Sequence, residues 1–73
     1  MEELLDFVIA NPDTGDLSVH VVMNYPFYDV SINGEFAAQL EQDHHSNWFI
    51  TTGHLDDELV QQIGHRIVEY ITQ

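Results

Sequence analysis

Close to its C-terminal end the chain carries a single amphipathic stripe, and this stripe restricts the folds open to it. Large apolar residues recur at every fourth position: Leu59, Ile63, Ile67 and Ile71. This spacing predicts a helix of about four turns with one apolar face. Asp56 stands at a good N-cap position, and Asp57 and Glu58 bring negative charge to the first turn. Gly64 costs a helix up to ~1 kcal/mol relative to alanine, which predicts a close contact between helix and sheet.

Upstream of the stripe, turn-forming residues separate short segments with the composition of β-strands. The clearest alternation of apolar and polar residues runs over residues 17–24, as in a half-buried antiparallel strand. The five predicted strands are 4–10, 17–24, one containing Tyr28, Val30 and Ile32, then 36–42 and 48–52. The helix needs an apolar surface, and a sheet of these strands supplies one. We therefore expect one domain over residues 1–73 with an α+β fold: a four- to five-stranded antiparallel meander with a C-terminal α-helix packed on one face.

The hairpin predicted at Asn33-Gly34 leaves two strand registers open. A two-residue turn pairs Val30 with Ala37 and puts Phe36 on the opposite face of the sheet. A longer loop with a bulge pairs Val30 with Phe36 and gathers the apolar side chains on one side. We prefer the longer loop for that reason.

Charge excludes several classes of partner. The chain has 13 acidic residues, one arginine, no lysine and no cysteine, and its formal net charge is −12 with histidine neutral. A single basic side chain gives no surface for direct binding to nucleic acid or anionic lipid. The apolar runs are too short to cross a bilayer, and the acidic N-terminal segment does not resemble a signal peptide. We expect a cytoplasmic protein with no membrane partner.

The acidic excess also suggests what the protein binds. Self-repulsion destabilises a compact state, so such an excess points to a basic protein surface as partner. Carboxylates at i and i+2 of a strand stand ~6.6 Å apart, close to twice the ~3.4 Å repeat of DNA phosphates. The sharper hypothesis is a nucleic-acid-mimic inhibitor of the anti-defence type. The candidate partner-binding residues are Asp29, Glu35, Glu41, Asp43, Asp56, Asp57 and Glu58.

Catalysis and metal binding are weaker interpretations. The chain has no thiol, no nucleophile-elbow motif and no phosphate-binding glycine loop, so we expect no enzyme and no cofactor. Histidine offers the alternative of a small metal- or ligand-binding domain, with His44, His45 and His54 as candidate ligands. None of the recognised metal-binding spacings is present, and the preferred interpretation is exposed polar turn residues with no metal.

A sheet covered on one side leaves its other face open, which gives a further alternative. Val22, Phe27 and Phe49 occupy alternate positions of their strands and are candidates for that open face. An exposed apolar patch there would mark a partner surface or the interface of a homodimer.

The segment from Ile32 to Tyr70 combines several motifs in a fixed order. They are the Asn33-Gly34 hairpin, Asn47-Trp48, Gly53, Leu55-Asp56, Glu58-Leu59-Val60, Ile63-Gly64 and Glu69-Tyr70. This run, about half of the chain, resembles a family of small acidic bacterial or phage domains of uncharacterised function. The resemblance implies a small sheet-plus-helix domain and no particular activity.

Overall fold

The computed structural model describes residues 3–13 and 15–72, and it confirms the predicted α+β fold. Five antiparallel strands form one sheet in sequence order, as a meander. The elements are β1 (Glu3–Ile9), β2 (Leu17–Asn24), β3 (Phe27–Ile32), β4 (Glu35–Gln42), β5 (Trp48–Gly53) and α1 (Asp57–Ile71). None of the described residues form a helix with the length and apolarity needed to cross a bilayer.

The core lies between α1 and one face of the sheet, called the inner face below. In β2 the predicted alternation is confirmed, because Leu17 and Val19 are buried while Ser18 between them is exposed. Strand residues supply most of this core: Ile9, Leu17, Val19, Val21, Tyr28, Val30, Ala38, Leu40 and Trp48. The helix adds Val60, Ile63 and Ile67 from the predicted stripe and its flank.

Helix α1 lies very close to the sheet at Gly64. A Cβ atom on Gly64 would lie 2.3 Å from Cδ1 of the Trp48 indole, so only glycine leaves room for this ring. The Trp48 ring in turn meets the ring of Tyr28 edge to face, with centroids 5.1 Å apart and planes at 69°. The predicted reason for a glycine inside the helix is confirmed. Asp56 occupies the predicted N-cap position, although its side chain makes no capping hydrogen bond.

The hairpin between β3 and β4 closes through the tight turn that its sequence favours. Asn33 and Gly34 have φ values of 53° and 87°, and Ile32 pairs with Glu35 across them. Positive φ at both central positions gives a turn whose twist matches that of the strands. Asn33 is also bound to β2, because its N–H donates to the Ser18 carbonyl oxygen (2.8 Å) and its Oδ1 accepts from the Ser18 N–H (2.9 Å). The longer loop that we preferred is therefore wrong.

A β-bulge inside β4 changes the face on which its residues lie. Val30 pairs with Ala38 and Ser31 pairs with Phe36, so β4 has one extra residue between these pairs. The shift brings Ala38 and Leu40 to the inner face, where both are 0% exposed. Phe36 precedes the bulge and lies on the opposite face with Ser31, 57% exposed. The predicted pairing of Val30 with Phe36 is wrong because the bulge falls within the strand and not at the turn.

We expect Gly64→Ala to lower the free energy of unfolding, although alanine is the better helix former by about 1 kcal/mol. The added methyl group would overlap the Trp48 ring, and overpacking of this kind costs about 1–3 kcal/mol, which leaves a net loss of up to about 2 kcal/mol. Urea denaturation of variant and wild type measures the difference. Gln61→Ala, at an exposed position of the same helix, is the control and should cost nothing. A more stable Gly64→Ala protein would contradict the close contact.

Candidate functional site

The face of the sheet turned away from α1, called the outer face below, carries exposed aromatic residues. Phe27, Phe36 and Phe49 are 37%, 57% and 42% exposed. No described element packs on this face, because α1 lies against the inner one. The predicted outward placement of Phe27, Phe49 and Val22 is confirmed, with Val22 half-buried. The tight turn at Asn33-Gly34 adds Phe36 to this set, as in the register that we did not prefer.

Glu41 lies between two of these phenylalanines. It pairs directly with Phe27 on β3 and with Phe49 on β5. Because adjacent strands are ~4.8 Å apart, the two aromatic residues lie on either side of the carboxylate and ~10 Å from each other. A guanidinium group fits this arrangement well. It can donate two parallel hydrogen bonds to a carboxylate while its flat face stacks on a ring.

Asp29 lies on the outer face one strand away from Glu41. The Nε2 amide of Gln39 donates to Oδ1 of Asp29 at 2.9 Å, and the Thr51 hydroxyl donates to Oε1 of Gln39 at 3.0 Å. These two hydrogen bonds orient the carboxylate. Since Asp29 pairs with Gln39, it is a diagonal neighbour of Glu41, and such neighbours are roughly 7–8 Å apart, with their Cβ atoms somewhat closer. The structure thus brings two of the predicted partner-binding carboxylates together.

A third carboxylate on this face was not among our candidates. Asp6 of β1 pairs with His20 of β2, and Oδ1 of Asp6 lies within hydrogen-bonding distance of Nδ1 of His20. The same row continues through Ser31 to Phe36. The pair becomes an ion pair when His20 is protonated. Strand alternation alone puts both residues on the face of the sheet turned away from the core. Only the register between β1 and β2 shows that the two side chains are neighbours.

The other predicted carboxylates lie away from the outer face. Glu35 follows the β3–β4 turn and pairs with an inner-face residue. Asp56, Asp57 and Glu58 lie at the start of α1, where Asp57 and Glu58 occupy the first turn. Asp56 and Glu58 line a small cleft with Asp13 of the β1–β2 loop. The seven candidates therefore do not share one surface.

Asp43 has a role inside the loop between β4 and β5. Its Oδ1 accepts hydrogen bonds from the backbone N–H of His45 (2.8 Å) and of Asn47 (2.9 Å). The hydrogen bond from Asn47, assisted by that from His45, holds the pKa of the Asp43 carboxyl below its usual value. Asp43 also lies just past the end of β4, so the i, i+2 strand spacing from Glu41 does not apply to it.

The histidines of the metal-binding hypothesis lie at two ends of β5. His44 and His45 are exposed in the loop before this strand, with ring centroids 6.2 Å apart. His54 follows the strand, whose six residues span about 17 Å. Within residues 3–13 and 15–72, no group of three or more His, Cys, Asp or Glu side chains could hold a metal ion.

Comparison of the chain with protein-family models, with curated proteins and with solved structures found no match. The resemblance of residues 32–70 to small acidic bacterial or phage domains stays a prediction. The geometry of the outer face is therefore the observation from which a function can be proposed.

We expect Asp43→Ala to destabilise the protein more at neutral pH than in acid. Because the folded-state pKa of Asp43 lies below its ordinary value of 3.8, the ionised carboxylate adds stability above that value. This contribution is lost as the pH falls through the folded-state pKa. Thermal denaturation at about pH 7 and pH 2 measures the loss, as the difference in Tm between variant and wild type.

The control for this loop is Asp43→Asn. Its amide oxygen can still accept from the two backbone N–H groups, so it should lose less than Asp43→Ala at neutral pH. If the difference between Asp43→Ala and wild type were the same at both pH values, the ionised carboxylate would not be what stabilises the loop.

Proposed function

We propose that this chain is a non-enzymatic binding module that docks its outer face on a basic protein surface. The observation that carries the proposal is the position of Glu41 between Phe27 and Phe49, with the oriented carboxylate of Asp29 beside it. Arginine is the residue that best uses such a surface, because it forms paired hydrogen bonds to carboxylates and stacks on aromatic rings. Exposed aromatic residues of this kind are common at the centres of protein interfaces.

The remaining negative charge has a second role in this proposal. A net charge of −12 attracts a basic partner from a distance and raises the association rate, most strongly at low salt. Glu35, Asp56, Asp57 and Glu58 contribute to this field without contacting the partner. The carboxylates that contact it in this proposal are Asp29 and Glu41, which lie beside the exposed phenylalanines of the outer face.

A second copy of the chain is a poorer occupant of the outer face. A symmetric dimer through this face would bring Asp29 and Glu41 of one copy close to those of the other. It would also combine two charges of −12 in one particle. Like charges brought together across an interface cost free energy, whereas a basic surface meets the same carboxylates with attraction.

The finer proposal is that the partner's basic surface normally binds nucleic acid and that this protein blocks it, as an inhibitor of the anti-defence type. As diagonal neighbours, Asp29 and Glu41 are roughly 7–8 Å apart, with their Cβ atoms somewhat closer, near twice the phosphate repeat. Proteins that bind single strands combine basic grooves with surfaces that accept stacked bases, and the rings of Phe27 and Phe49 are flat groups beside the carboxylates. The proposed setting is the cytoplasm, whose reducing conditions suit a chain without cysteine.

We expect Glu41→Gln to weaken binding to a hexa-arginine peptide about tenfold, because it removes the charge-assisted hydrogen bonds between the two rings. Phe49→Leu should weaken it by a smaller factor, since stacking is lost while apolar area is kept. Isothermal titration at about 50 and 300 mM salt should also show a steep loss of affinity with salt. Hexa-lysine should bind less tightly than hexa-arginine.

The matched control is Glu58→Gln, which makes the same change of charge at the start of α1. If Glu58→Gln and Glu41→Gln lost the same affinity, net charge alone would explain binding and the outer face would not be the site. Sedimentation tests the other occupant: a dimer that Phe49→Leu dissociates would assign the outer face to a second copy and contradict the proposal.

The mimicry proposal has its own measurement in a host lysate. Proteins retained by the wild-type chain but not by Glu41→Gln should be released by added duplex DNA or by transfer RNA. Retention that neither nucleic acid reduces would contradict mimicry while leaving docking on a basic protein intact.

A further inference from the structure

A groove of about 650 Å³ lies where α1 ends, on the opposite side of the sheet from the outer face. All three tyrosines of the chain line it: Tyr25, Tyr28 and Tyr70. Its wall also includes Glu3 of β1 and Ile71 at the end of α1. A volume of this size is in the range of small-ligand sites. We call this feature the tyrosine groove.

The three tyrosine rings form aromatic walls of the groove, and they differ in how firmly the rest of the protein holds them. Tyr28 is 6% exposed and is held against the Trp48 ring, so its position is fixed by the core. Tyr25 is 85% exposed at the rim, in the turn between β2 and β3. Burial, and to a smaller extent the neighbouring Tyr25, raises the pKa of the Tyr28 phenol, so this hydroxyl stays neutral at physiological pH. Electron-rich faces of tyrosine rings attract organic cations.

Among the described residues that line the groove, the only charge is negative. Glu3 places a carboxylate in its wall. The C-terminal end of α1, which carries the negative end of the helix dipole, lies at Ile71, and no basic residue occurs in the last turn of this fully described helix. The one arginine of the chain is engaged elsewhere, since the guanidinium of Arg66 lies 5.1 Å from the centroid of the Phe7 ring.

We propose that the tyrosine groove binds an alkylammonium group, of the kind that a lysine side chain carries. The aromatic walls accept the methylene stem and the charged head, the carboxylate of Glu3 pairs with the head, and the helix end adds attraction of the same sign. The site is separate from the outer face and does not depend on the function proposed for that face.

The test is a titration of the protein with n-butylammonium, the lysine side chain without its backbone, followed by aromatic NMR signals. We expect the ring signals of Tyr25, Tyr28 and Tyr70 to shift together, with a dissociation constant on the order of 1–10 mM for so small a ligand. The ring signals of Phe49 on the outer face should not follow the same curve. The neutral alcohol n-butanol, of the same length, should bind at least about fivefold more weakly.

Two exposed positions give variants that keep the fold. Tyr25→Leu and Glu3→Gln should each weaken n-butylammonium binding by about three- to tenfold. Glu58→Gln, with the same loss of charge far from the groove, should leave the dissociation constant unchanged. Nα-acetyl-lysine amide, which keeps the side-chain ammonium, serves as a second probe. Tighter binding than that of n-butylammonium assigns the site to a lysine of a peptide. Equal or weaker binding assigns it to a free amine.

Two results would overturn the proposal. Equal affinity for n-butanol would mean that the groove is only an apolar surface. Shifts of equal size at Phe49 and at the tyrosines would mean that the cation is attracted diffusely by the net charge. Glu41→Gln separates this proposal from the docking function, because that variant should lose the arginine peptide and keep n-butylammonium. Either proposal can therefore fail without the other.

Discussion

One helix covers one face of a five-stranded sheet, and most of the structure follows from this coverage. The contact is set by Gly64, whose missing side chain admits the Trp48 ring, which in turn rests on Tyr28. Three residues of the apolar stripe of α1, Leu59, Ile63 and Ile67, pack on the inner face, and α1 covers no part of the outer one. Aromatic residues that strand alternation turns outward, such as Phe36 and Phe49, therefore remain exposed. The open face is a consequence of how the core is built.

Sequence patterns predicted the parts of this fold that depend on local periodicity. The stripe ending at Ile71 and the alternation over residues 17–24 are repeated signals, and both elements lie where expected. The face of Phe36 could not be predicted in the same way, because it depends on whether the extra residue lies in the turn at Asn33-Gly34 or later, inside β4. Which carboxylates share a surface depends on register between distant strands. Glu41 was among the candidates, but its place between two phenylalanines was not visible in the sequence.

The acidic residues have different roles, which depend on the groups that surround each carboxylate. Asp43 is bonded to the backbone of its own loop, and Asp57 and Glu58 favour the start of α1 through its dipole. Asp29 is held by Gln39 with its carboxylate oriented at the outer face. Charge that stabilises a local structure still adds to the long-range field, so steering and fold stability do not exclude each other. Specific recognition needs more, namely a carboxylate with apolar area beside it.

The two candidate sites for cations meet at the turn between β2 and β3. Tyr25 lines the tyrosine groove and Phe27 begins the row that contains Glu41, with only Pro26 between them. A basic segment that passes over this turn can place one side chain in the groove and another against Glu41. Each contact alone is weak, but once the first is made the second becomes intramolecular, and its effective concentration can reach the millimolar range for a short connection. Two weak sites on either side of one turn can in this way act together. A small protein then binds a basic segment whose two cationic side chains reach both sites more tightly than it binds other basic proteins.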